Sequence, residues 1–323
     1  FLCAPLNSQP MGFYGVHTLV EDGKRHGLEV RPPCVVQSEA ESSLESPSPE
    51  REAELAAWFS SSPHVEKKHT PWADHAARTE GRASAADRPA HGQAVQPAVR
   101  VGLKEVSKMS DAVADRVVAA RRERPFTDVT DALARADVPK DVAVHLASSG
   151  AFDALGVSRR DALWRVLSFD RGSPLFRSVE APGPAVGLPA MDDVETMKAD
   201  YRTTGLSTKT HPVALLRPDL RRRKILGFLE LENVSPGRRV KVGGMVTVRQ
   251  RPGTAKGVVF MTLEDEDGQM NLVVFAKTYD RYRTVARDAI LLVAEGKVER
   301  KHKVTNVIVD RFLPLEGERP DDA

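Results

Sequence analysis

Carboxylates and histidines are the residues of this 323-residue chain with the widest chemical range, and their spacing sets what they could do. A polymerase, nuclease or phosphatase places carboxylates so that metal ions flank a reacting phosphate. The acidic groups here are Asp192-Asp193, Glu264-Asp265-Glu266-Asp267 and Asp321-Asp322. The middle group is closed by Gly268 and sits between two strand-like runs, so its composition is that of a β-turn, and its glycine is misplaced for a calcium loop. His64, His69, His75 and His91 are irregularly spaced, with no cysteine or carboxylate completing a metal-ligand set. Arg251-Pro252-Gly253-Thr254-Ala255-Lys256-Gly257 lacks the glycine spacing, and the Ser or Thr after Lys, of a phosphate-binding loop. No nucleophile, base and acid group together. The expectation is that this chain holds no catalytic residue and no metal ligand of its own.

What the residues do supply is a binding face. In RVKVGGMVTVRQR, Val240, Val242, Val246 and Val248 alternate with Lys241, Thr247, Arg249 and Arg251, the period of a half-buried strand. Turn residues follow, then strand-like runs from Gly257 to Glu264 and from Met270 to Phe275. A helical segment about Ala276 to Ala286 comes next, before two more strands, Ala289 to Val298 and Val304 to Phe312. Three strands, a helix and two strands is the order of the five-stranded OB barrel, which often holds single-stranded nucleic acid. If Val259, Met261 and Leu263 fill that barrel, Phe260 and Thr262 face outward beside Thr247, Arg249 and Arg251, with Asn271 on the next strand. An exposed aromatic among arginines can stack a base and neutralise its phosphates; the alternative is that Phe260 packs under a loop. Lys297, Arg300, Lys301 and Lys303 add charge along one rim, and Lys256 caps the same groove.

The preceding elements carry a second kind of contact. From Val99 the pattern gives short helices at about 111–122, 128–136, 141–148 and 158–169, joined by tight turns. These read as two helix-hairpin-helix units, whose backbone N–H groups meet DNA phosphates without reading sequence. The first hairpin is Val106-Ser107-Lys108-Met109-Ser110, where Lys108 and Ser110 stand in place of two glycines. That puts close backbone approach in question, while Lys108 brings a charge instead. A plain helical spacer is the competing reading. The run Arg221 to Lys224 is either a solvated face or a phosphate contact.

Composition bounds the rest. Hydrophobic residues at 41% and charged residues at 28% suit two or three modest cores, and 22 glycines with 22 prolines mean substantial loop. The net charge of +2 argues nothing for nucleic acid by itself, so its distribution has to. Two distant cysteines, Cys3 and Cys34, fit a reducing cytoplasm, and no apolar run approaches the roughly 18 residues that span a bilayer. The expected layout is multi-domain α+β. It comprises a fragment of a larger domain over 1–36, a low-complexity linker over 37–98, the tandem helix-hairpin-helix region over 99–170, a linker over 171–190, a helical connector over 191–236, the OB barrel over 237–314 and a tail over 315–323.

Several stretches resemble the C-terminal part of the bacterial C-family DNA polymerases, the DNA polymerase III alpha subunits, and most closely their error-prone branch. They are LNSQPMGFYGVHTLVEDGKRHGLEVRPP, PAVRVGLKEVSKMSDAVADRVVAARRERPFTDVTDAL, SSGAFDALGVSRRDALW, DYRTTGLSTKTHPVALLRP and RQRPGTAKGVVFMTLEDEDGQMNLVV, in the family's order. The resemblance implies that 1–33 is the end of the fingers, that the helix-hairpin-helix region grips duplex DNA, and that the barrel lies near the single-stranded template. It also implies that the three catalytic aspartates, and any Mg2+ they hold, belong to a palm upstream of Phe1, so that this chain binds DNA without polymerising it. A sliding clamp or other damage-tolerance proteins are the further partners expected. The rival is a stand-alone OB module for single-stranded DNA or tRNA; a third possibility is an inert remnant.

Overall fold

The computed structural model describes residues 1–11, 15–50, 53, 97–169, 187–301 and 304–313. The four histidines from His64 to His91, most of the linker at 171–190, Lys303 and the tail lie outside the described residues.

The amino-terminal part is built from α1 (Cys3–Asn7), α2 (Val16–Arg25) and a small sheet. In that sheet β1 (Val30–Arg31) runs parallel to β3 (Ala98–Arg100), and β2 (Ser43–Glu45) pairs antiparallel on the other side of β3. This corrects the expected linker boundary. Residues 37–50 are not a loose tether: Ser38 is buried, its hydroxyl accepting from Cys34 N and donating to the Val101 carbonyl, and Glu45 pairs with both Arg31 and Arg100. The Ser- and Glu-rich composition hides this because these polar groups bury by pairing with one another, which a count of aliphatic residues cannot register. The apolar residues of 1–36 do too little alone, and Leu2, Leu6, Val20 and Val30 complete their core with Val99, Val101 and the distant Leu206.

The helical region is α3 (Asp111–Glu123), α4 (Val129–Arg135), α5 (Lys140–Ser148) and α6 (Arg159–Ser168), within a residue or two of expectation at each end. Three of the four start on side-chain caps. Ser110 accepts from Val113 N, Asp128 from Asp131 N and Ser158 from Asp161 N, each satisfying an otherwise orphaned donor. Their apolar stripes meet in one core around Val113, Val117, Leu133, Leu146 and Phe152.

The connector holds α7 (Asp193–Thr204), α8 (Pro212–Arg222) and α9 (Phe228–Glu232). A complete capping box between Asp192 and Glu195 opens α7, and Gly205, at φ 71°, closes it in the left-handed conformation that glycine takes without a Cβ clash. The barrel follows: β4 (Arg239–Gln250), β5 (Val259–Glu264), β6 (Gln269–Val274), α10 (Ala276–Arg281), α11 (Arg283–Asp288), β7 (Leu291–Lys301) and β8 (Val304–Leu313). Its strands close in the order β4-β5-β6-β8-β7, with β6 and β8 parallel through Asn271↔Asn306 and every other neighbouring pair antiparallel. The fold is therefore a helix-hairpin-helix region followed by a five-stranded OB barrel. Val242, Met261, Leu263, Leu272, Leu292 and Val307 fill the barrel.

Candidate nucleic-acid interface

Strand β4 serves two neighbours: Arg239 to Met245 pair with β7, and Met245 to Gln250 pair with β5. A strand shared in this way must bend, and it does so at a bulge. Val246 lies opposite Leu263 and Val248 opposite Thr262, leaving Thr247 as the extra residue. Since side chains alternate, one inserted residue exchanges the two faces for everything beyond it. Val248 and Gln250 consequently share the outer face with Thr262 and Phe260, while Arg249 lies opposite the buried Met261.

This corrects the expected arginine arrangement. Arg249 is not beside Phe260; its guanidinium donates to the carbonyls of Ala286 and Ala289, at the end of α11. Burial lowers it somewhat from its ordinary pKa, as befits a group held against the barrel. Arg251 lies beyond the end of the strand, its guanidinium 5.4 Å from the centre of the Tyr279 ring on α10, a cation–π contact that orders the β4–β5 loop. Lys256 ends that loop, exposed and in the left-handed conformation at φ 49°.

Two cross-strand rows make up the outer face. One is Val248, Thr262, Asn271, Asn306 and Glu299; the other is Gln250, Phe260, Val273, Ile308 and Lys297. Phe260 is 42% exposed and Phe275, two residues beyond Val273 along the same strand direction, is 51% exposed. Of the basic rim, Lys297 ends the Phe260 row, about 14 Å away at three strand spacings. Lys301 is paired with Glu299 at 3.0 Å, and Arg300 donates to Thr305 Oγ1 and to the Glu232 carbonyl. The rim thus offers less uncommitted charge than its composition suggests. Gln250, Val273, Asn306 and Ile308 were not singled out from sequence. Alternation in β8 separates Asn306 and Ile308 from the core residues Val307 and Val309, but which strand lies beside β8 is a long-range matter.

In the helical region, Lys108 adopts φ 65°, the conformation a glycine would occupy at no cost, so the backbone keeps the hairpin's shape despite the substitution. Its ammonium lies 3.7 Å from Asp141, both well exposed, a pair of little energetic weight. Ser110 needs no positive φ and serves as the cap of α3. Ser107 N donates to the Thr203 carbonyl at 2.6 Å, holding the hairpin against the end of α7. The first-turn N–H groups of α3, at Asp111 and Ala112, are those a phosphate could meet.

The acidic turn holds a surprise. Its hairpin geometry is as expected, with Asp265 N donating to the Gly268 carbonyl and Asp265 Oδ1 accepting from Asp267 N and Gly268 N. Yet Glu264 and Asp265 are fully buried, and the turn is packed under the connector. Asp265 and Glu266 grip Arg217 of α8 at 2.8 and 2.6 Å, and Phe228 N donates to Asp265 Oδ2. A Cβ on Gly268 would come within 2.4 Å of the Phe228 ring, so only glycine fits there. Turn propensity explains these residue types without revealing what they pack against.

Known proteins bear on this geometry. Residues 27–162 match the model of the helix-hairpin-helix motif, and residues 240–315 match that of an OB-fold nucleic acid binding domain. The error-prone DNA polymerase of Anaeromyxobacter sp. (strain K) is 42% identical over 316 residues, covering 98% of this chain and 24% of that protein. This chain is homologous to a segment of error-prone DNA polymerases. The enzyme of that name from Alkalilimnicola ehrlichii is 38% identical over 314 residues, 97% of this chain and 26% of its own length. The chain thus spans about a quarter of these polymerases, and its two matched domains fit a C-terminal portion of a C-family polymerase. A solved asparaginyl-tRNA synthetase from Pyrococcus horikoshii is alike at TM-score 0.24 and 18% identity, over 28% of this chain and 22% of that one, too weak a likeness to carry any argument. Among the described residues no helix is long and apolar enough to cross a membrane.

Proposed function

We propose that this chain is a DNA-gripping portion of an error-prone, damage-tolerant DNA polymerase acting in the cytoplasm. The helix-hairpin-helix region would hold duplex through backbone N–H groups and Lys108, and the barrel would hold single-stranded template across the Phe260 row. The observation that carries this is continuous similarity to error-prone polymerases over 98% of the chain, spanning both domains. Nucleotidyl transfer, with its Mg2+, is assigned to the part of the relatives outside the matched quarter. Within the acidic turn the carboxylates of Asp265 and Glu266 are bonded to Arg217 and, for Asp265, to backbone N–H groups, which occupies oxygens a catalytic metal would need.

Incubating this polypeptide with a primed template, nucleotides and Mg2+ tests both parts. The expected result is salt-dependent binding of the primed template with no primer extension. Robust extension would overturn the non-catalytic assignment, and binding that ignores salt, or is absent, would overturn the grip on DNA. The rival, a free-standing module for tRNA or single-stranded DNA, draws on the barrel's match alone. A preference for tRNA over primed DNA in direct competition would favour it.

A further inference from the structure

Donors from separate parts of the chain converge on one carboxylate oxygen. His17 Nε2 and Arg25 Nη1, both of α2, lie 3.2 and 3.6 Å from Glu264 Oε1, and His211 Nε2, at the cap of α8, lies 3.8 Å from it. The other oxygen, Oε2, accepts from Gln269 Nε2 at 2.8 Å. His211 and Glu264 are almost wholly buried, and none of the four converging atoms completes a hydrogen bond, so what joins them is charge and dipole proximity. Burial alone would push the Glu264 carboxyl up, but the His17 and His211 rings facing it and donation from Gln269 override that and hold the group well below the usual carboxylate range.

A divalent cation is the obvious candidate occupant, because the ligand atoms of His17, His211 and Glu264 lie within 4.8 Å of one another. The outer ring nitrogens decide against it. His211 Nδ1 accepts the backbone N–H of Val213 at 3.2 Å, so the proton of the neutral ring resides on Nε2, pointing at Glu264. A metal-bound ring needs the reverse, a lone pair on Nε2 and a proton on Nδ1 to donate outward. His17 Nδ1 lies 3.0 Å from the Tyr201 hydroxyl, whose pKa is pushed up by burial and by Glu21, Glu264 and Asp200, so the phenol keeps a proton to donate. The Arg25 guanidinium, already facing Oε1, would also repel a dication.

We infer that the hairpin from Glu264 to Gln269 is a latch that docks the OB barrel onto α2 and the connector, with Glu264 facing His17, Arg25 and His211 as one jaw and the Arg217 clamp on Asp265 and Glu266 as the other. The latch fixes the pose of the barrel relative to the helix-hairpin-helix region. Its consequence for DNA, that duplex and single strand are gripped as one rigid unit, rests on the function proposed above.

The test uses the whole chain with Cys3→Ser, spin labels at Asp115→Cys on α3 and Ile290→Cys before β7, and pulsed dipolar distance measurement without DNA. A single narrow distance distribution is expected, at least doubling in width on Glu264→Ala. His211→Ala, which keeps the carboxylate and removes one donor, should broaden it as well and serves if Glu264→Ala fails to fold. An unchanged distribution in a folded variant would overturn the latch. Zinc bound one per chain and lost on His211→Asn, read by elemental analysis, would overturn it in favour of a metal centre. With DNA, Glu264→Ala should lose about tenfold in affinity for a duplex with a single-stranded overhang while keeping its affinity for a single-stranded oligonucleotide; equal losses on both would overturn the rigid-unit consequence. Failure of the unmutated chain to bind either DNA would remove the proposed function and leave the distance result standing.

Discussion

Phe260 and Arg249 are both exposed residues of the same barrel, but they do different work. Phe260 presents a partly exposed ring between Gln250 and Val273 in a cross-strand row. Replacing it with alanine should weaken single-strand binding by about 1–3 kcal/mol for the one base it stacks, with the salt slope unchanged. Fluorescence anisotropy over a salt series reads both quantities. Arg249 ties β4 to the carbonyls that end α11. Arg249→Ala should lower stability by about 1 kcal/mol and leave the salt slope of DNA binding where it was, by thermal melting and the same salt series. A reduced slope would mean that its remaining donors reach phosphate. The alternating valines locate β4 correctly, and only the bulge at Thr247, which follows from the strand's two neighbours, moves Arg249 off the face that simple alternation assigns it.

At the level of elements, the helices of the helix-hairpin-helix region were legible because their determinants are local. Cap residues and apolar stripes lie within a few positions of the helices they define. The hairpin before α3 carries strain that those determinants do not relieve, since Lys108 holds a positive φ. Lys108→Gly should stabilise the chain by about 1 kcal/mol, read as a small rise in the denaturation midpoint. If Lys108 meets phosphate, the same variant should shallow the salt slope of duplex binding by roughly one unit. Strand β2, by contrast, was illegible. Its three residues join a sheet only because Ala98 to Arg100, more than 50 positions on, lies beside them.

For the whole molecule, the junction between barrel and connector contributes to the pH dependence of stability. The Glu264 carboxyl lies below its unfolded value, so its contribution to stability is complete above the unfolded pKa of about 4.3 and is lost as pH falls below it. Glu266 adds in the same direction, since Arg217 overrides the upward push of burial. Acid titration of stability should therefore show a loss beginning near pH 4 that is shallower in Glu264→Gln. Arg217→Ala strands the buried Asp265 and should cost about 3–5 kcal/mol at neutral pH, measured by denaturant unfolding. The resemblance to a polymerase family was carried by the sequence alone, whereas the junction could not be read from it. His17, His211 and Glu264 lie far apart in the chain, and each looks ordinary in its local setting.

The buried acids of the β5–β6 hairpin find their counter-charges on α2 and α8, outside the barrel's own strands. The barrel is therefore not an interchangeable cassette. Cut out by itself, it would present Glu264 and Asp265 to solvent on a surface shaped for another part of the chain; transplanted behind a foreign connector, it would need that connector to bring its own arginine and histidines. Recombination that respects strand boundaries would still break it, because the smallest heritable unit of this barrel includes pieces of chain more than 200 residues upstream of its last strand.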